Sequence, residues 1–181
     1  HKDQSQLVLD NTKKLILIYG IASGMSYLHS NNILHLDLNP TNILLNDHLF
    51  PIISGFCISR YSDDSSENIM GTLIYISPEV LKNCEYTTKN DVYAFSMLFY
   101  EIITGNEPFV GENHLMVMFS VFQGVRSIIP QSVPEKCQDL MSRCWSEDPD
   151  ERPAFEEIVN ILENDPKSFI NGDFQEHLMR C

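Results

Sequence analysis

The sequence predicts a mostly α protein with one small β element, and three observations carry that expectation. Leu15, Ile16, Tyr19, Ala22, Met25 and Leu28 recur at helical spacing. Residues 92–104 are apolar on nearly all sides and end at Gly105, as a buried helix with a glycine stop would. The apolar pieces at 33–38, 43–45 and 50–53 are too short for helices and are separated by turn-forming residues.

Taken in order, the first helix begins at Asn11 or Thr12, a good N-cap type, and runs to Ser30, where Asn31-Asn32 breaks it. The extended pieces at 33–38 and 43–45 flank a loop holding Asp37, Pro40 and Asn42. Asn46-Asp47-His48 reads as a turn before β character resumes at 50–53. Residues 58–70, rich in Ser and Asp, read as an exposed loop. After the central helix come a helix over 115–122 that stops at Gly124, another with Pro134 just inside its start, and a last one over 155–162 introduced by Arg152-Pro153. Residues 1–10 form a lead-in, 11–164 the folded unit and 165–181 a tail.

Composition excludes several functions. The 181 residues carry 12 Lys and Arg against 25 Asp and Glu, a net charge of −13. The imbalance is local: residues 1–60 balance, and the whole excess lies in 61–181. That half would repel a nucleic-acid backbone and an anionic membrane surface alike. No apolar run is long enough to span a bilayer, and no signal pattern opens the chain. The five cysteines are odd in number and include no C-x-x-C, so neither a zinc site nor a full disulfide frame is expected. The expected location is intracellular, in the cytoplasm.

The chemistry is concentrated in Ile33-Leu34-His35-Leu36-Asp37-Leu38-Asn39-Pro40-Thr41-Asn42-Ile43-Leu44-Leu45. This stretch resembles the catalytic loop of protein kinases, H-R-D-L-K-P-x-N. Three further matches follow in order. Gly71-Thr72, Tyr75 and Ser77-Pro78-Glu79 resemble the G-T-x-x-Y-x-A-P-E end of the activation segment. Asp91-Val92-Tyr93-Ala94-Phe95-Ser96 resembles D-V-W-S-F-G at the head of the central helix, and Cys144-Trp145, Asp148-Pro149 and Arg152-Pro153 resemble C-W-x-x-D-P-x-x-R-P. Four matches with family-like gaps imply the helical C-terminal lobe of a protein kinase, of the serine/threonine, tyrosine-kinase-like type. The resemblance implies ATP and Mg²⁺ as cofactors and a protein as substrate or partner.

Residue by residue, the resemblance makes Asp37 the base that accepts the substrate hydroxyl proton and Asn42 a Mg²⁺ ligand. Read without it, Asp37 is a turn residue and Asn42 a loop hydrogen-bonder. Leu44, Leu98 and Ile102 match apolar positions beneath the adenine ring and on the central helix. His35 and Phe56 match members of a hydrophobic spine, and Asp91 matches an aspartate that holds the catalytic-loop backbone. Glu79 and Arg152 match a buried ion pair, and Thr72 belongs to the substrate-docking loop. Ser59, Ser62, Ser65 and Ser66 read as a solvated polar loop.

Three departures bear on activity. Leu36 stands in place of the loop arginine, and Asn39 in place of the lysine that neutralises the transferred phosphate. In Ile53-Ser54-Gly55-Phe56-Cys57, aligned where the family has D-F-G, Gly55 replaces the aspartate that ligates Mg²⁺. Phosphoryl transfer depends on positioning and charge neutralisation, so catalysis is expected to be impaired. No G-x-G-x-x-G or V-A-I-K, the marks of an N-terminal lobe, occurs in the chain; that lobe is expected upstream if anywhere. Three functions follow: a pseudokinase lobe acting by protein binding, a divergent weakly active serine/threonine kinase, or a truncated remnant without function.

Overall fold

A computed structural model describes residues 9–62 and 69–170. Expectations for the first eight residues, for Ser65 and Ser66, and for 171–181 lie outside the described residues.

Helix α1 (Asn11–Ser30) is capped one residue earlier than expected, by Asp10, whose carboxylate accepts the Lys13 amide at 2.8 Å. An acid there also meets the positive end of the helix dipole. Its inward stripe of Leu15, Ile18, Ile21, Ala22 and Met25 is fully buried. The central helix α3 (Thr88–Thr104) starts four residues before the apolar run, because Thr87 and Asn90 close a reciprocal capping box. It ends where Gly105 turns left-handed at φ +74°. Val92, Tyr93, Phe95, Met97 and Phe99 have no exposed surface, so α3 forms the axis of the core. Around it pack α1, α5 (Glu135–Cys144) and α6 (Phe155–Asn164), and the Phe95 ring meets the Phe155 ring edge-on at 5.3 Å. Pro134 is the N-cap residue of α5 rather than its first helical residue.

The β element is two separate antiparallel ladders. Strand β1 (Ile33–Leu34) pairs with β4 (Arg60–Tyr61), and β2 (Ile43–Leu45) pairs with β3 (Pro51–Ile53) across a turn in which Asn46 Oδ1 accepts the amides of His48 and Phe50. β1 stops at Leu34 because Leu36 takes a positive φ of +66°, which no strand accommodates. β4 lies inside the stretch read as an open loop. These ladders fix both ends of 35–42 and 54–59, bringing the two loops together.

Further elements have no clear signal in the sequence. Helix α2 (Pro78–Asn83) follows a 3₁₀ turn at Leu73–Tyr75. The 3₁₀ turn Pro166–Phe169 continues the fold past residue 164: Phe169 and Ile170 are buried, and the Cys137 thiol donates to the Phe169 carbonyl at 3.1 Å. The remaining helix, α4 (His114–Phe122), is capped by Asn113. Among the described residues no helix is long and apolar enough to cross a membrane.

Candidate active site

The site is built on Asp91, at the start of α3. Its carboxylate is 1% exposed and accepts the backbone amides of His35 and Leu36, each at 2.8 Å, and faces His29 Nε2 at 2.9 Å. Those bonds hold the chain through the left-handed Leu36, a conformation that costs a non-glycine residue about 1–2 kcal/mol. His35 is fully buried. Its Nε2 donates to the Ser54 carbonyl at 2.8 Å, and its Nδ1 accepts the Asp37 amide at 3.2 Å. One imidazole thus ties the two loops together. The Phe56 ring lies edge-on to it at 5.1 Å, although Phe56 itself is 46% exposed. His35 therefore acts as a satisfied structural histidine.

Asp37 sits at the centre of a polar network. Its Oδ1 accepts the Thr72 hydroxyl at 2.7 Å, the Thr72 amide at 3.0 Å and Asn39 Nδ2 at 3.0 Å; its Oδ2 accepts Asn42 Nδ2 at 2.9 Å. Every one of these donors is neutral. Asn39, 3% exposed, does more than fill the place of a lysine. Its Nδ2 also donates to the Asp37 carbonyl and to Thr72 Oγ1, and its Oδ1 accepts both the amide and the hydroxyl of Thr41. The side chain acts as a clasp between the loop and the segment carrying Thr72. It supplies no positive charge to an incoming phosphate.

Gly55 adopts φ +83°, and a Cβ at that position would fall 2.2 Å from Asn42 Cγ. The Asn42 side chain thus fills the space in front of Gly55. Its amide donates to the Asp37 carbonyl at 2.7 Å as well as to the carboxylate, while the backbone carbonyl of Asn42 accepts the Ser54 amide at 2.8 Å and the Ser54 hydroxyl at 3.0 Å. Magnesium prefers anionic oxygen ligands in octahedral array. Gly55 offers no side-chain oxygen, Ser54 is spent on Asn42, and the Asp37 carboxylate is engaged by four donors. The residues present do not fit a Mg²⁺ ion as they stand.

Leu44 is 52% exposed. Its strand neighbours Ile43 and Leu45 face the other way, into a groove of about 240 Å³ that Leu98 and Ile102 also line. The expected apolar floor therefore divides: Leu98 and Ile102 share one groove, and Leu44 lies outside it.

Away from the loop, Arg152 and Glu79 form a two-bond pair, Nη1 to Oε1 at 2.7 Å and Nη2 to Oε2 at 2.8 Å. Arg152 is 1% exposed, and its remaining donors reach the Ser146 and Lys89 carbonyls. Burial pushes the Glu79 carboxyl up, but the hydrogen bonds and charge of Arg152 outweigh it and hold the carboxyl below its ordinary range. Asn90, passed over in the sequence, completes this cluster by donating to Glu79 Oε1 at 2.5 Å and to the Ser77 hydroxyl at 2.8 Å. The signal for it was its position one residue before Asp91, on the first turn of α3. Ser59 is tied into the site and not merely solvated: its hydroxyl donates to the His35 carbonyl at 3.0 Å.

The sequence profile of the family described as protein tyrosine and serine/threonine kinase matches residues 2–162. A probable serine/threonine-protein kinase of Dictyostelium discoideum is 36% identical over 163 residues, covering 89% of this chain and 12% of its own length. A putative serine/threonine-protein kinase/receptor of Acanthamoeba polyphaga mimivirus is 37% identical over 152 residues, covering 82% and 9%. A serine/threonine/tyrosine-protein kinase of Arabidopsis thaliana is 36% identical over 166 residues, covering 90% and 42%. The chain thus spans less than half the length of these curated relatives.

Proposed function

The chain belongs to the protein tyrosine and serine/threonine kinase family, and from that premise we propose that it is the C-terminal lobe of a catalytically impaired member, acting by binding another protein. The observation that carries this reading is the replacement of a metal-ligating aspartate by Gly55, with the Asn42 side chain turned into the vacated volume. Kinases of this family use ATP and Mg²⁺, and the metal neutralises charge that develops on the transferred phosphoryl group. Losing an anionic ligand there removes several kcal/mol of transition-state stabilisation, and each ~1.4 kcal/mol is a factor of ten in rate. Asn39 adds to the loss, because a neutral clasp stabilises no transferring phosphate. The intracellular, cytoplasmic location belongs to the same proposal. Burial pushes the thiols of Cys137, to about 12, and Cys144 up, leaving both protonated and inert.

One observation favours a second reading, a weakly active serine/threonine kinase with its N-terminal lobe elsewhere in a longer chain. Asp37 accepts both the amide and the hydroxyl of Thr72, which supports Asp37 as a base held beside a substrate-docking loop. Titration of the full-length protein with ATP, with and without Mg²⁺, separates the two. The impaired reading expects a nucleotide affinity that does not rise when Mg²⁺ is added. A gain of about tenfold or more, worth ~1.4 kcal/mol, would favour the second.

A further inference from the structure

We draw no further inference here: the strongest candidate, the side-chain cluster of Arg60 on β4 stacked over the Tyr86 ring at 4.2 Å with its buried Nε and Nη2 unpartnered among the described residues, restates an established property of the kinase family, an oxyanion site beside the activation segment.

Discussion

The side chain of Asn42 occupies the volume that any side chain at position 55 would enter: a Cβ there would lie 2.2 Å from Asn42 Cγ and 2.3 Å from its Oδ1. The two positions are mutually exclusive in this arrangement. With glycine at 55, the Asn42 amide bonds Asp37 at both the carbonyl and the carboxylate.

Substitution at 55 therefore expels Asn42. Gly55→Ala should cost about 1–3 kcal/mol, from the lost hydrogen bonds and from a left-handed φ imposed on a Cβ. Gly55→Asp should cost less, because aspartate tolerates that conformation better. With Asn42 displaced, the pair becomes able to offer two oxygens to a cation. Thermal melts with and without Mg²⁺ check this: a Mg²⁺-dependent gain is expected for Gly55→Asp and none for Gly55→Ala. The same small response from both would mean that position 55 does not face a metal site.

The Glu79–Arg152 pair should be the most costly polar feature to break. Removing one partner of a buried, two-bond pair leaves the other charge without compensation, about 3–5 kcal/mol. Urea unfolding of Glu79→Ala measures it. The depressed Glu79 carboxyl also sets a direction with pH. Its contribution is fully present above the unfolded value, near 4.5, and is lost as pH falls through the lower folded value. Acid titration should therefore destabilise the parent below about pH 4.5 more steeply than Glu79→Gln.

Asp91 holds the turn at Leu36. Asp91→Ala leaves the buried His35 amide and the partly buried Leu36 amide without acceptors, about 1–3 kcal/mol for a fully buried one, and Asp91→Asn should cost less because one acceptor remains. Leu36→Gly, which relieves the positive φ at the expense of unfolded-state entropy, should fall within about 1 kcal/mol of the parent. Equilibrium unfolding of the three variants gives that order, and a large loss for Leu36→Gly would mean that the leucine side chain, rather than the turn, matters.

Asn39→Ala should loosen the loop around Asp37. It removes the acceptor of Thr41 and a donor to Thr72, roughly 1–3 kcal/mol for groups so nearly buried. The sharper readout is hydrogen exchange of the Thr72 amide, bonded to Asp37 Oδ1, which should accelerate about tenfold or more if the clasp contributes ~1.4 kcal/mol to closure.

Much of this arrangement was legible because it depends on patterns that stay local. The apolar run at 92–104 and the stop at Gly105 announce α3, and the order of motifs brings 35–42 and 53–57 into one site. Glu79 and Arg152 are bonded across 73 positions, a pairing that only the resemblance could suggest, since nothing in either neighbourhood encodes the other. What stayed hidden was set by tertiary surroundings. β4 has two residues and exists only because β1 lies beside it. Phe169 is buried by α5, although no periodicity surrounds it. Asn39 reads as a lost charge, and only its neighbours Thr41 and Thr72 turn it into a clasp. The rotamer of Asn42 depends on the emptiness of position 55, thirteen residues away.

Under the proposed function, this lobe no longer supports metal-assisted phosphoryl transfer. The most direct test is transfer of labelled γ-phosphate from ATP by the full-length protein, with Mg²⁺ present and removed, beside Asp37→Ala. No transfer above the level of Asp37→Ala is expected under either condition. Turnover that needs Mg²⁺ and disappears in Asp37→Ala would contradict it.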